Sequence, residues 1–348
     1  MTMVNDANTY SLNSGESSQP LPFVSVIVPI YNGQTDVPAL VQSLFAQTYP
    51  AAQVEYLLVD NGSQDETPTL LAAAVTQAKA QGLMASYLSE TTIQSSYAAR
   101  NRGIQAARGQ ILAFTDADCQ PEPHWLEQLV APFSDSAVGA VAGEILALPG
   151  NTWLEQYAER LETLSQKHTL AHSFSPYGQT ANLAVRRDVF SKVGLFRPYL
   201  TTGGDADLCW RLQREGGWKI RFAEQAVVRH RHRKTLAELR SQWRRYGKSN
   251  KYLHELYDVP LMRSVSGSEI RYRLARWLLK ELPRASYRVL SRQDPAIALL
   301  ETPLGLYCQV ARAAGQKQAQ LPSEARQIVA IVQSQAPSIG AIAENLEC

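Results

Sequence analysis

The chain has 348 residues, of which 45% are hydrophobic and 19% are charged, so it is long enough for one large α/β domain with an appended segment or for two modest domains. Its formal net charge of +2 excludes a protein whose main partner is nucleic acid. The four cysteines lie far apart, which argues against a zinc site or a disulfide framework and fits a reducing cytoplasm.

The first segment, residues 1–22, is predicted to be a flexible polar arm. It lacks both the basic start and the apolar stretch of a signal peptide. No uninterrupted apolar run in the sequence approaches the roughly 20 residues that are needed to cross a bilayer. The sequence therefore predicts a cytoplasmic protein without membrane-spanning helices of its own.

Between residues 23 and 146, short apolar and β-branched runs alternate with helical patterns. These runs are predicted to be strands: FVSVIVPI, VEYLLVD, LMASYLS, QILAFTD and VGAVAGE. Asp36 is predicted to cap the first helix, and Thr67 with Pro68 is predicted to start the second. Near-continuous apolar strands separated by helices indicate an α/β fold with a mostly parallel sheet that is covered on both faces.

Between residues 147 and 255 the pattern is mixed. A helix is predicted from Thr152 to about His168, followed by a strand at TANLAVRR and an acid-capped helix at GGDADLCWRL. Two strands are predicted at WKIRFAE and AVVRHRH, and a further helix from Leu236 to about Tyr252. From about Pro260 the pattern becomes helical and basic.

Polar side chains collect at the carboxyl ends of the predicted parallel strands, where such sheets bind ligands. Asp116 and Asp118 follow the fourth strand, and oxygen ligands of this kind suit Mg²⁺ or Mn²⁺. The alternative is that one of them only caps the helix after Pro121. Asp60, after the second strand, is our candidate for a contact with a base and ribose, with an ordinary Asx-turn as the alternative.

Four segments, in this order and spacing, resemble the inverting family-2 glycosyltransferases with the GT-A nucleotide-sugar-binding fold: VSVIVPIYNG, LLVDNGSQDET, ARNRGIQAARGQILAFTDADC and GGDADLCWRL. The resemblance implies a GT-A domain over residues 23–255 and a helical, partly basic extension over 256–348. It implies a divalent metal on Asp118 and these nucleotide contacts: Pro29, Tyr31, Asn32, Asp60, Asn61, Arg100 and Asp116. For Arg100, a solvated position on its helix is the alternative.

The acidic motif at GGDADL departs from the two adjacent acids of the family, because Ala206 separates Asp205 from Asp207. The resemblance implies that Asp205 is the catalytic base that removes the proton of an acceptor hydroxyl. Asp207 is the alternative acid, and it is otherwise expected to help start the helix. A simpler interpretation makes both aspartates helix caps.

Two basic segments follow. In VVRHRHRK, strand alternation places His230 and His232 on one face, and the resemblance implies that one of them, predicted to be His230, completes the metal site. In SQWRRYGKSN, the pattern resembles the QxxRW signature of processive polysaccharide synthases, with Tyr246 in place of tryptophan. Arg244 and Arg245 are then predicted to bind the diphosphate, with a solvated basic face as the alternative.

The predicted function is transfer of one sugar from a nucleotide diphosphate sugar to an acceptor hydroxyl, in polysaccharide, glycolipid or cell-envelope glycan synthesis. Two alternatives remain. A nucleotidyltransferase that makes nucleotide sugars would be expected to carry a Gly-rich, Arg-containing loop, whereas PIYNGQTD has one glycine and no arginine. A non-catalytic nucleotide-sugar-binding protein would not need the acids of both motifs.

The segment from Ser268 to Arg292 predicts a basic helix with an apolar stripe. Such a helix can lie in a membrane interface, or its stripe can pack against the catalytic domain, and Pro283 is expected to interrupt it. The hypothesis is a cytoplasmic enzyme that associates reversibly with the anionic inner face of the membrane.

Overall fold

The computed structural model describes residues 21–330. Within these residues the strands are β1 (Val24–Ile30), β2 (Val54–Asp60), β3 (Met84–Ser89), β4 (Ile111–Thr115), β5 (Cys119–Pro121), β6 (Val138–Ala147), β7 (Asn182–Arg186) and β8 (Lys219–His230). They form one sheet of eight strands in the order β3-β2-β1-β4-β7-β6-β8-β5. Most of the arm predicted for residues 1–22 lies outside the described part of the chain.

The helices of the described residues cover this sheet and extend beyond it. Those of the first half are α1 (Val37–Phe45), α2 (Thr67–Ala80), α3 (Ser96–Ala106), α4 (Trp125–Val130), α5 (Trp153–Arg160) and α6 (Gln166–Leu170). Those of the second half are α7 (Arg187–Val193), α8 (Gly204–Arg214), α9 (Leu236–Tyr257), α10 (Gly267–Arg276), α11 (Leu282–Leu290) and α12 (Glu301–Gln318).

The first half of the sheet is parallel, as predicted: β1 pairs with β2 and β4, and β2 pairs with β3. β1, β2 and β4 are buried along their whole length, which explains their near-continuous apolar sequences. Successive side chains of β1 enter opposite cores, because Val26 and Val28 belong to one cluster and Ile27 to the other. The second half is mixed, since β7 runs antiparallel to β4 and β6, and β5 runs antiparallel to β8.

Two predicted boundaries in the second half are wrong. The runs WKIRFAE and AVVRHRH form one strand, β8, whose pairing with β6 contains irregular register steps. The helix predicted from Thr152 ends at Arg160, where Glu162 adopts a positive φ of 46°. The chain then re-enters a short helix at Gln166, whose backbone N–H donates to the buried Glu144 at 3.0 Å.

Two predicted helix caps serve tertiary contacts instead. Asp36 precedes α1, but its carboxylate accepts two hydrogen bonds from Arg231, at 2.7 and 2.6 Å, and none from the helix backbone. Thr67 is the first residue of α2, and its hydroxyl accepts from the backbone N–H of Gly33 at 2.8 Å. Both side chains therefore join loops at the carboxyl end of the sheet.

The C-terminal part of the described chain is helical, as predicted. Pro283 does not interrupt the helical path: a π-helical turn, Trp277–Glu281, joins α10 to α11, and Pro283 occupies the first turn of α11, where a backbone N–H is not needed. α12 packs along α9. From residue 21 to residue 330, no helix is both long and apolar enough to cross a membrane.

Candidate active site

The turn between β4 and β5 carries Asp116 and Asp118. β5 pairs with the end of β8, so that Cys119 lies opposite His230. This pairing brings the Nε2 of His230 to 3.3 Å from a carboxylate oxygen of Asp118, and Arg233 lies 3.4 Å from the other oxygen. The strand pairing therefore joins two motifs that are more than 100 residues apart in the chain.

The donor set around Asp118 suits a hard divalent cation. Asp118, Cys119 and His230 offer ligand atoms that lie within 4.8 Å of one another. The thiol of Cys119 is buried and is a soft ligand, which leaves one carboxylate and one imidazole for Mg²⁺ or Mn²⁺. The Nδ1 of His230 is buried and has no hydrogen-bond partner among the described residues.

The electrostatics of Asp118 keep it ionised. Burial alone would raise its pKa, but His230, Arg233 and Arg231 lower the pKa well below the usual range. His232 is also buried, with its ring 5.6 Å from that of His230, yet it is not part of the ligand cluster. The structure thus places His230, rather than His232, against Asp118.

Arg100 lies inside the protein and forms an ion pair with Asp116. It is 3% exposed, so the alternative of a solvated helix position is wrong. Its Nε is buried without a hydrogen-bond partner in residues 21–330, and its guanidinium carbon is 5.5 Å from the centre of the Tyr97 ring. Arg100 therefore presents a desolvated positive charge to the carboxyl end of the sheet.

Asp205 is held at the start of α8 by contacts around a glycine pair. Gly203 has a φ of 80°, which favours glycine, and the N–H of Gly204 donates to the hydroxyl of Tyr97 at 3.0 Å. The hydroxyl of Thr180 donates to Asp205 at 3.0 Å. Burial raises the pKa of Asp205, and the charge of Arg100 opposes that rise.

Asp207 has a different environment. It is fully buried and accepts hydrogen bonds from Arg197 at 2.8 Å, from Arg211 at 2.9 Å and from the hydroxyl of Tyr257 at 2.6 Å. Burial alone would raise the pKa of Asp207, but the two arginines and the tyrosine lower it. Both carboxylate oxygens are occupied, so Asp207 serves the packing of α8.

The first two loops hold each other in place. The backbone N–H of Asn32 donates to the hydroxyl of Ser63 at 2.9 Å, and its side-chain oxygen accepts from the N–H of Gln64 at 2.8 Å. Asp60 accepts from the N–H of Ser63 at 3.1 Å, as the Asx-turn alternative predicts. Tyr31 is half exposed at the end of β1.

Two predicted nucleotide contacts, Pro29 and Asn61, have side chains that are not available to a ligand. Pro29 is buried within β1, so only its backbone is available to a ligand. The amide of Asn61 donates to the carbonyls of Glu90 and Ile93, at 2.8 and 3.0 Å, and fastens the loop after β3.

The two arginines of α9 also differ. Arg244 donates to Gln318 on α12, so its guanidinium joins two helices. Arg245 is exposed, and its charge opposes the rise that burial causes in the pKa of the neighbouring Tyr246. The negative charge of Asp118 also raises the pKa of Tyr246. Tyr246 is therefore influenced by the charges of both Arg245 and Asp118.

Tyr97, Thr180 and Arg233 contact the site but were not among the predicted site residues. Tyr97 and Thr180 carry no local sequence signal, because their partners lie 107 and 25 residues away. Arg233 belongs to the segment VVRHRHRK, in which strand alternation would place its side chain on the face opposite His230 and His232. Because β8 ends at His230, Arg233 lies in the loop that follows the strand and is not bound by the alternation. From this loop its guanidinium contacts Asp118.

The predicted residues thus form two groups, Arg100 with Asp116 and Asp205, and Asp118 with His230, and the turn after β4 carries an aspartate of each group. The arrangement combines a carboxylate with a raised pKa, a candidate cation site and a buried arginine. Chemically, it can remove a proton from a hydroxyl and stabilise an anionic leaving group.

Comparisons with known proteins identify glycosyltransferases as the relatives of this chain. A family model described as glycosyl transferase family 2 matches residues 25–197. Glycosyltransferase AglE of Haloferax volcanii is 35% identical over 261 residues, which are 74% of this chain and 81% of that protein. The undecaprenyl-phosphate 4-deoxy-4-formamido-L-arabinose transferase of Serratia proteamaculans is 29% identical over 46% of this chain and 48% of its own length.

Among solved structures, mannosyltransferase PcManGT from Pyrobaculum calidifontis, in complex with GDP-Man and Mn²⁺, has a similar fold. The TM-score is 0.57 at 18% sequence identity, and the match covers 85% of this chain and 87% of that one.

Proposed function

The chain belongs to glycosyl transferase family 2, and from that membership we propose that it moves a single sugar from a nucleotide diphosphate sugar to an acceptor hydroxyl, with inversion at the anomeric carbon. It is a glycosyltransferase with a GT-A fold, as predicted. The alternatives of a nucleotidyltransferase and a non-catalytic binding protein are not favoured by its relatives. The observation that carries the proposal is Asp205, a carboxylate that the hydroxyl of Thr180 holds at the start of α8, in the field of Arg100 and Asp116.

Asp205 acts as the general base. Its carboxylate takes the proton of the acceptor hydroxyl while the hydroxyl oxygen forms a bond to the anomeric carbon of the donor. The bond from that carbon to the diphosphate breaks, and its electron pair leaves with the diphosphate. Attack on the face opposite the leaving group produces the inversion. Thr180 orients Asp205, and Tyr97 holds the backbone before it.

The residues present fit a divalent cation, and Asp118 with His230 would hold it. Bound there, Mg²⁺ or Mn²⁺ would neutralise charge on the donor diphosphate. The complex of PcManGT with GDP-Man and Mn²⁺ supports this assignment. Arg245, which is exposed near Tyr246, is the remaining diphosphate contact of the predicted pair, because Arg244 is bound to Gln318.

The nucleotide lies over the loops after β1 and β2 in this proposal. Asp60 ends β2 directly beside the end of β1, since it lies opposite Ile30, and Asn61 follows it. Tyr31 offers an exposed ring for stacking, and the backbones at Pro29 and Asn32 line the same loop. Asp116, oriented by Arg100, contacts the ribose.

The acceptor is a glycan or a lipid-linked sugar. The name of the Serratia relative includes a lipid phosphate, which supports the second class. We keep the predicted division into a catalytic domain over residues 23–255 and a helical extension from residue 256, and we place the enzyme in the cytoplasm.

The helical extension offers a membrane-binding surface, which we define as residues 267–290. No residue of α10, the π-helical turn or α11 is buried. Leu279 is 74% exposed and Leu290 is 84% exposed, among the cations Arg271, Lys280 and Arg284. Exposed leucines beside cations favour the surface of an anionic membrane over packing against the catalytic domain.

The substitution Asp205→Asn tests the assignment of the base. We expect transfer to fall by roughly 10²–10⁴-fold because the acceptor proton then has no base, while donor binding changes little. The measurement is transfer and donor binding with a panel of nucleotide sugars. Asp188→Asn, at an exposed position of α7, is the matched control and should retain activity. An active Asp205→Asn enzyme would contradict the assignment of Asp205 as the general base.

A further inference from the structure

A cavity of about 580 Å³ lies between α5, α9 and the C-terminal helices α10 and α12. Its walls combine apolar side chains, among them Leu161, Trp243 and Met262, with polar and charged ones such as Arg273 and Arg312. The volume is in the range of sites that bind small organic molecules. The proposed transfer mechanism uses none of these side chains.

Two arginines in this cavity have no acidic partner in the part of the chain that the structure describes. Arg273 donates to the side-chain oxygen of Gln309 at 2.7 Å, and Arg312 donates through its Nε to that of Asn250 at 2.9 Å. Neither arginine forms an ion pair with any residue in the range 21–330. Neutral amide oxygens orient a guanidinium without cancelling its charge, so the cavity carries two uncompensated positive charges.

By contrast, Arg263 at the same cavity is paired with Glu269. A cation in an apolar cavity without a counter-ion is unfavourable, because desolvation is not offset by an ion pair. Burial accordingly lowers the pKa of Arg312. The missing counter-charge points to an anionic ligand.

Arg312 connects this cavity with the start of α8 through α9, because it donates to Asn250, and the neighbouring Ser249 packs against Gly203. Its guanidinium carbon is 5.8 Å from the centre of the Trp243 ring, on the cavity wall. Burial and the charge of Asp205 raise the pKa of Tyr177, and the charge of Arg312 opposes that rise. Tyr177 therefore lies in the field of both the proposed base and the cavity arginine.

The backbone of Arg312 is held by a close helix crossing. A Cβ at Gly247 of α9 would lie 2.0 Å from the carbonyl oxygen of Arg312, and one at Gly315 of α12 would lie 2.1 Å from that of Arg244. The two glycines let α9 and α12 approach closely, which fixes the position of Arg312 relative to the catalytic domain.

We propose that this cavity binds the phosphate and the first apolar units of a lipid-linked sugar acceptor. Arg273 and Arg312 bind the phosphate, the apolar walls take the lipid, and the sugar extends toward Asp205. This inference rests on the proposed glycosyltransferase function and names the class of its acceptor. A cavity that has both apolar side chains and two guanidinium groups without an ion pair in residues 21–330 matches an amphiphilic anion better than a neutral glycan.

The test measures binding of farnesyl phosphate, farnesol and inorganic phosphate by isothermal titration calorimetry. Farnesyl phosphate is expected to bind at least about tenfold more tightly than either of the others, because only it has both the charge and the apolar chain. Equal binding of inorganic phosphate would overturn the lipid assignment, and equal binding of farnesol would overturn the role of the arginines.

Variants then locate the binding site. Arg273→Gln and Arg312→Gln should each weaken farnesyl phosphate binding by about tenfold or more, and Arg312→Lys should recover part of the loss. Arg240→Gln, at an exposed position of α9, is the matched control. Unchanged binding in both Gln variants would overturn the proposal.

The two proposals fail in different ways. If the enzyme transfers sugar but shows no preference for farnesyl phosphate, only the acceptor site is wrong. If it binds farnesyl phosphate but turns over no nucleotide sugar, the proposed function is wrong. Donor hydrolysis should be the same in wild-type and Arg240→Gln enzyme, because Arg240 lies outside both the cavity and the donor loops.

Discussion

Asp205 and Asp207 lie two residues apart at the start of α8 and have opposite electrostatic environments. Burial raises the pKa of Asp205, while Arg211 and Arg197 overcome burial and lower the pKa of Asp207. Two carboxylates whose pKa values are pushed apart have different roles. The one whose affinity for a proton is raised suits general base catalysis, and the other neutralises buried arginines.

Asp207→Asn should therefore act on stability. The substitution leaves Arg197 and Arg211 buried without a counter-charge, so the free energy of unfolding should fall by roughly 3–5 kcal/mol. Urea unfolding measures the change. Asp205→Asn is the contrast: its free energy of unfolding should be unchanged or higher, since folding already favours the neutral form of Asp205. A loss in Asp205→Asn that equals the loss in Asp207→Asn would contradict this division of roles.

Single substitutions can also distinguish the roles of His230 and His232. His230→Ala and Asp118→Ala should weaken the Mn²⁺-dependent binding of UDP or GDP by about tenfold or more, and His232→Ala should not, because only His230 contacts Asp118. Calorimetry with Mn²⁺ present and after treatment with EDTA gives the comparison. A metal-dependent affinity that survives His230→Ala but is lost in His232→Ala would reverse the assignment.

At the scale of elements, the crossing of α9 and α12 attaches the helical extension to the catalytic domain. Arg244 and Gln318 are bound across it, and Arg312 and Asn250 form a second contact. The crossing depends on glycine at the point of closest approach, where backbone meets backbone. The extension is thus joined to the catalytic domain by backbone packing as well as by side chains.

Gly247→Ala should separate these helices. The added methyl group would meet the carbonyl of Arg312, which is backbone and cannot rotate away, so stability should fall by about 1–3 kcal/mol. Gly305→Ala is the matched control on α12. Its methyl group would lie 3.5 Å from the hydroxyl of Tyr157, an ordinary contact, and alanine is favoured over glycine within a helix by roughly 0.5–1 kcal/mol. Equal effects of the two substitutions in thermal unfolding would disprove the close crossing.

At the scale of the whole molecule, the proposed membrane-binding surface and the proposed acceptor cavity share α10. Arg273 lines the cavity, and the neighbouring Leu274 and Leu278 are exposed. A protein attached to a membrane through this helix would have its proposed acceptor site close to the lipid.

Sedimentation with liposomes tests the attachment. We expect binding to vesicles that contain anionic lipid at low salt, weaker binding at high salt and little binding to neutral vesicles, since each cation near the surface contributes about 1 kcal/mol. Leu279→Ser should reduce binding, whereas Leu146→Ser, at an exposed leucine outside this surface, should not. Equal binding to neutral and anionic vesicles would refute the electrostatic part.

The sequence by itself determined the class of fold and the edge of the sheet at which the site lies. Apolar runs predicted β1, β2 and β4, and the polar residues after them predicted the ligand-binding edge, because these signals are local and periodic. Asp116, Asp118 and Asp205 were predicted as site residues because the motifs around them have a fixed order. The same local signals misplaced Asp36 and Thr67 as caps, since a side chain next to a helix start can bind a distant loop instead.

Only the tertiary structure decided between residues that look alike in the sequence. His230 was separated from His232 by the pairing of β5 with β8, and Asp205 from Asp207 by the buried partners Arg197, Arg211 and Tyr257. The burial of Arg100 and the lack of a counter-ion at Arg312 likewise depend on which helices pack together. Charge, desolvation and hydrogen bonding act between atoms that are close in space, and partners far apart in the chain leave no periodic pattern that would reveal them.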